Sequence, residues 1–139
     1  MEKFYSKVQK DLLAHAIYRI EDFKGRQNII EDLEFLQIAT LKLDKLETFE
    51  AHIHLWKDLP KNKNVAQESW VVIKGEVEVN FFDIDGALLH RDVLREGDCS
   101  FSLYGGHSYM ALSESLVYEF KNGPYLGQVK DKKFIKDLI

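Results

Sequence analysis

The sequence predicts an all-β domain, a barrel or sandwich of roughly seven or eight short strands, with an N-terminal α-helix as an arm. Three observations lead there. From Leu33 onward, short stretches rich in β-branched and aromatic residues are cut by turn signals such as Asp85-Gly86 and Gly105-Gly106. Apolar and polar residues alternate within them: Val77, Val79 and Phe81 interleave with Glu76, Glu78 and Asn80. Ahead of them, Val8, Leu12, Leu13, Ala16, Ile17 and Ile20 recur at three- and four-residue steps, which predicts a helix over Ser6–Phe23 that Gly25 ends.

The elements follow in order. Arg26-Gln27-Asn28 reads as a loop. Leu33–Leu43 and Thr48–Trp56 read as strands, although the first also tolerates a helix. Lys57–Gln67 is polar, carries Pro60 and reads as a loop, with Lys57, Lys61 and Lys63 on a solvated face. Strands at Glu68–Lys74 and Glu76–Asp83 flank Gly75. Asp85-Gly86 then predicts a type I′ turn into Leu88–Leu94. Cys99–Leu103, His107–Leu112 and Leu116–Lys121 complete the set, with Cys99 expected as a small buried residue. After Gly123-Pro124, Phe134, Ile135 and Leu138 are placed to dock back on the barrel. The chain divides into an arm over 1–32, a barrel over 33–122 and a tail over 123–139, all in one domain.

Composition bounds the function. A hydrophobic content of 45% supplies one ordinary core. Net charge is −4 with both signs interspersed, so no basic stripe awaits nucleic acid. A single cysteine excludes an internal disulfide and fits a reducing compartment. No apolar run approaches the ~20 residues that span a bilayer, and the start lacks the order of a signal peptide. The expectation is a soluble cytoplasmic protein with neither a membrane nor a nucleic-acid partner.

His52-Ile53-His54 falls in a predicted strand, where residues two apart share a face, so both imidazoles can converge on one point. Alone, the pair fits two ordinary histidines as well as a metal site.

Further residues extend it. Glu68 is followed by Gly75 through Ser-Trp-Val-Val-Ile-Lys, and Gly97-Asp98 precedes Gly105-Gly106-His107. Together with His52-x-His54 these resemble the two motifs of the cupins. That resemblance implies a double-stranded β-helix, or jelly-roll barrel, holding one divalent metal ion on His52, His54, Glu68 and His107. Such a ligand set suits Fe, Mn, Ni or Zn. The chain departs from the motifs in three ways. Leu46–Glu50 stand where a glycine is usual, thirteen residues separate His54 from Glu68, and the second motif lacks its proline and has Ala111 for asparagine. Gln67 is the alternative to Glu68 in this register.

A closer resemblance covers most of the chain. Gly25-Arg26-Gln27-Asn28, Gln37, Glu68-Ser69, Phe82-Asp83-x-x-Gly86, Glu119-x-Lys121-x-Gly123-Pro124-Tyr125 and Asp131-Lys132-x-Phe134 are similar to WbuC-type cupin metalloproteins. Those belong among bacterial O-antigen and capsule genes, which implies a place in surface-polysaccharide biosynthesis.

Other residues are weighed both ways. Tyr109 shares the face of His107 and is the candidate catalytic acid–base group, or a core tyrosine. Trp56 continues the His52/His54 face as a wall for a sugar ring or the rim of the barrel. Arg26 and Lys121 are candidate cations for a phosphate or carboxylate, although such residues are more often solvated surface groups, and Tyr125 is a candidate cover for the opening, which packing alone also explains. Trp70 is expected in the core, and His15 and His90 as structural or exposed. Three functions fit: a metal-dependent isomerase or epimerase of a small sugar or nucleotide sugar, or a dioxygenase with iron; a non-catalytic small-ligand module; and a structural homodimer braced by the metal.

Overall fold

The computed structural model describes residues 2–6, 11, 13–17, 20–58 and 63–137. Strands dominate it. β1 (Glu2–Tyr5) and β2 (Leu13–Ile17) form a two-stranded ribbon, followed by β3 (Gln27–Asn28), β4 (Leu36–Leu43) and β5 (Thr48–His54). β6 (Trp56–Asp58) pairs with β7 (Lys63–Val65). Then come β8 (Glu68–Lys74), β9 (Glu76–Phe82), β10 (Leu88–Arg95), β11 (Cys99–Ser102), β12 (Gly106–Ala111) and β13 (Ser115–Asn122), and after them the single helical turn α1 (Gln128–Asp131) and β14 (Lys132–Phe134).

Two antiparallel five-stranded sheets face each other, in the orders β10-β9-β12-β5-β14 and β11-β8-β13-β4-β3. Sheet membership therefore reaches into the N-terminal arm through β3 and into the tail through β14. Tail docking is as expected at Ile135, which is buried; Leu138 lies outside the described residues.

Alternation decides what lines the interior. Inward residues of β8 are Glu68, Trp70 and Val72; of β13, Ser115, Val117 and Glu119; of β4, Gln37, Ala39, Leu41 and Leu43. β12 adds His107, Tyr109 and Ala111, and β5 adds His52 and His54. Along β4, β8 and β12 the inward row passes from polar to apolar. One end of the barrel is thus a core of Leu41, Leu43, Trp70, Val72, Val77, Val79, Tyr109, Ala111 and Val117. Trp70 stacks on Tyr109 at 3.9 Å between ring centroids and meets Phe49 edge-on at 4.9 Å. The other end gathers the ionisable side chains.

Four expectations change. Leu13–Ile17 is a strand, not helix, and Ile20–Asp22 a 3-10 turn, so the helix over Ser6–Phe23 is not shown; residues 7–10, 12 and 18–19 lie outside the described residues. Antiparallel pairing with Glu2–Tyr5 supplies backbone partners that sequence periodicity does not reveal. The Lys57–Gln67 loop contains the β6–β7 ribbon. At the Asp83–Gly86 turn the Gly86 N–H donates to the Asp83 carbonyl (3.0 Å), and only Gly86 takes a positive φ, of 88°. This is a type I turn followed by a left-handed glycine rather than type I′, because the loop is one residue longer than a two-residue hairpin. Cys99 is exposed, since edge strand β11 turns Ser100 and Ser102 inward and Cys99 and Phe101 out. No helix among the described residues is long and apolar enough to cross a membrane.

Gly75 joins β8 to β9 at a φ of 91°, and a Cβ there would stand 2.6 Å from the Glu114 carbonyl oxygen. Left-handed strain and backbone overlap act together, so Gly75→Ala is expected to destabilise the fold by at least about 1–3 kcal/mol. Urea unfolding checks this; an unchanged midpoint would show that the turn accepts a side chain.

Candidate metal centre

The polar end of the barrel brings four side chains to one point. His52 and His54 lie on β5, His107 stands directly opposite His52 on β12, and Glu68 opens β8 across the interior. One donor atom from each lies within 4.8 Å of the others, and all four residues are buried. Ligands on opposite sides of an ion at about 2.1 Å are roughly 4.2 Å apart, so one ion fits after shifts of a few tenths of an ångström.

Three of the four donor side chains, His52, His54 and Glu68, are oriented by a hydrogen-bond partner. The Glu50 carbonyl can only accept, so His52 Nδ1 donates to it (2.8 Å) and Nε2 of the neutral ring keeps its lone pair for the centre. Burial first, then the charges of His107 and Lys132, lower the His52 pKa to about 3 and keep it neutral. Glu68 Oε1 accepts from Trp70 Nε1 at 2.8 Å and lies 3.3 Å from His107 Nε2, while Oε2 lies 3.4 Å from His54 Nε2. Although burial raises the Glu68 pKa, the surrounding histidines outweigh it and hold the carboxyl well below its ordinary range. Neither ring nitrogen of His107, nor Nε2 of His54, makes a hydrogen bond of acceptable geometry among the described residues. Buried imidazole nitrogens without partners cost free energy, and a cation held between them removes that cost. The donor set and these orphaned atoms fit a divalent metal.

Behind His54 lies a second layer that the sequence did not disclose. His54 Nδ1 lies 3.1 Å from Asp131 Oδ2, whose other oxygen pairs with Lys57 Nζ; Lys57 also donates to the Pro124 carbonyl at 3.1 Å. Lys57, expected on a solvated face, is buried because β6 folds it under the tail. Asp131 arrives from α1, held by the Leu55 N–H donating to its carbonyl (2.7 Å) and by β14 pairing with β5. Such a carboxylate fixes the tautomer of a metal-binding histidine. The only sequence trace was the Asp131-Lys132-x-Phe134 pattern.

The remaining candidates separate. A narrow cavity beside the centre is lined by Arg26, Glu119, Lys121 and Lys132 as well as by His52 and Tyr109. Tyr109 packs 5.3 Å from the His107 ring with its hydroxyl 2.9 Å from Ser100 Oγ. Burial, then the Glu68 charge, push its pKa above the ordinary phenol range. Lys121 Nζ sits 4.6 Å from the Tyr125 ring centroid. Trp56 stands outside this cavity, 61% exposed and stacked on Tyr104, because β5 ends at His54 and the chain turns into β6. His90 is exposed and Trp70 is core, as expected. Glu119, missed as a site residue, is buried at 3.4 Å from Arg26; burial first and Glu68 second raise its pKa to about 7.

No family model matches this sequence, and no curated protein matches it. Solved structures do. KdgF from Halomonas sp. is 17% identical at a TM-score of 0.60, over 78% of this chain and 94% of that one. Oxalate decarboxylase from Bacillus subtilis is 22% identical at 0.55, over 75% of this chain but only 25% of its own length. A cupin-2 domain containing protein from Shewanella frigidimarina is 19% identical at 0.50, over 71% and 80%. The fold is the cupin double-stranded β-helix.

A pH test follows. In metal-free protein, burial lowers the His54 pKa, but the Asp131 hydrogen bond and the close Glu68 carboxylate outweigh it and raise the value to about 9. A raised folded-state pKa contributes stability below the unfolded value of 6.5 that is lost as pH rises through 9. Chelator-treated protein is therefore expected to lose about 3 kcal/mol between pH 6.5 and 9. Metal-loaded protein, with Nε2 committed to the ion, is expected to show no such loss. Chemical denaturation across this window reads both; equal slopes would remove the charged His54.

Proposed function

We propose that this chain is a metal-dependent cupin enzyme of the WbuC type that isomerises or epimerises a small carbohydrate, such as a nucleotide-linked sugar, in bacterial surface-polysaccharide biosynthesis. The observation that carries it is the buried His52/His54/Glu68/His107 cluster with its unpartnered imidazole nitrogens. A divalent ion held there supplies Lewis-acid polarisation of a substrate oxygen. The chain's own residues supply the rest. Asp131 and Lys57 hold the His54 ring, and Trp70 holds Glu68. Glu119, buried beside the cavity, is the proton carrier, and Tyr109, its hydroxyl engaged by Ser100, forms part of the cavity wall. The polysaccharide link rests on the resemblance of the Glu119–Tyr125 and Asp131–Phe134 patterns.

A second copy suits the outer surface, where Phe35, Leu36, Phe101 and Leu103 are exposed. Light scattering of the purified chain reads the expected homodimer, and a monomer at micromolar concentration would remove it.

The metal is tested first. Tag-free protein is expected to carry about one equivalent of a divalent ion by elemental analysis, and His52→Ala and His107→Ala to lose it. Equal content in all three proteins would sink the site. With the metal established, Glu119→Gln is expected to lower turnover of an active sugar substrate by about 10²–10⁴-fold while keeping the ion. Full activity in that variant would exclude Glu119 as the proton carrier.

A further inference from the structure

The chain as a whole is acidic, at −4, yet the mouth of its metal cavity is lined by cations. Arg26, Lys121 and Lys132 reach it from three separate segments. Arg26 lies just before β3; Lys121 stands directly opposite Glu68 where β13 pairs with β8; Lys132 stands opposite His54 where β14 pairs with β5. All three lie over aromatic faces: Lys121 over Tyr125 at 4.6 Å, Arg26 over Phe49 at 5.8 Å and Lys132 over Phe134 at 6.0 Å.

The opposing carboxylates are already engaged. Glu68 is taken up by His54, His107 and Trp70. Glu119 Oε1 lies 3.4 Å from Arg26 Nη2. Lys121 and Lys132 have no ion-pair partner among the described residues, although both are half-buried. Desolvation first lowers the Lys132 pKa, with Lys121 and Arg26 acting in the same sense, while the Glu68 and Glu119 charges oppose it. A divalent ion at the centre adds two more positive charges. The cavity itself measures about 20 Å³, room for roughly one water. Any larger ligand must keep its bulk outside it, where Lys121 and Glu68 also line a wider surface cavity.

We propose that Arg26, Lys121 and Lys132 form an oxyanion subsite that takes the carboxylate or phosphate of a small acidic ligand and aims its adjacent oxygen-bearing carbon at the metal centre. The aiming rests on the metal reading above; the anion contact itself does not. The substrate class narrows accordingly, to acidic sugars and sugar phosphates rather than neutral sugars. Charge-assisted hydrogen bonds from convergent cations are the strong kind, and burial of the lysine stems limits their screening by salt.

Calorimetric titration of the full chain, metal-loaded and chelator-stripped, tests this with four probes: inorganic phosphate, a hexose 1-phosphate, a hexuronate and the neutral hexose. At least one acidic sugar is expected to bind the loaded protein more than about tenfold tighter than the neutral hexose, with affinity falling as salt rises. Preference between the two acidic sugars identifies the oxyanion. Lys121→Gln and Lys132→Gln are each expected to weaken the acidic ligand about tenfold, with metal content and melting temperature unchanged. Equal binding of neutral and acidic sugars, unaltered affinity in both variants, or no binding of any acidic probe would overturn the subsite. If elemental analysis finds no metal in the wild type, phosphate binding to the stripped protein still decides for or against the cations, so the two failures are distinguishable.

Discussion

Burying ionisable groups inside a closed β-barrel is the constraint on which the rest of this structure depends. Strand alternation gives the interior a limited number of inward positions, and at one end these hold three histidines, two glutamates and a glutamine. A charge removed from water costs several kcal/mol unless it is paired and hydrogen-bonded. Trp70 accordingly spans the boundary between the two halves. Its ring stacks on Tyr109 in the apolar core, while its indole N–H donates to Glu68. The core thus fixes the carboxylate, whose two oxygens face His54 and His107.

The same constraint explains the tail. β5 would otherwise be an edge strand carrying His52 and His54, with its outer backbone groups open to any passing chain. β14 covers it, pairing Lys132 with His54 and Phe134 with His52. Covering the edge also delivers Asp131, which reaches His54 Nδ1 and neutralises Lys57. One short segment therefore closes a sheet, orients a metal-ligand candidate and supplies a cation to the cavity mouth. The β6–β7 ribbon does related work from the other side, since it carries Lys57 under Pro124.

Much of this was legible in the residues, and the rest was hidden for identifiable reasons. Period-two alternation placed β8, β9, β12 and β13 to within a residue or two, and put His52 and His54 on one face. Glu68 was legible through its step to Gly75, whose left-handed turn carries the chain from β8 in one sheet to β9 in the other. Hidden were features that depend on long-range pairing. Val8 to Ile20 fits a helical period, but local periodicity cannot report that Glu2–Tyr5 pairs with Leu13–Ile17. Lys57 looked like a solvated loop lysine because its partner lies more than seventy positions away, at Asp131. Glu119 and Lys132 stood in plain view within the terminal patterns, yet their inward direction depends on β13 and β14 registers that only the fold defines.

Polarity along the barrel axis finally bears on what kind of molecule can reach the centre. Apolar side chains close one end, and Arg26, Lys121 and Lys132 line the cavity at the other. A neutral approaching group would leave those cations facing one another across a partly desolvated opening. An oxyanion relieves that repulsion and aligns whatever is attached to it with the cluster behind. Field and shape then act in the same direction: the mouth selects charge, and the roughly 20 Å³ interior admits only a small group past it. An acidic ligand held at its charged end, with one polar atom projecting inward, satisfies both at once.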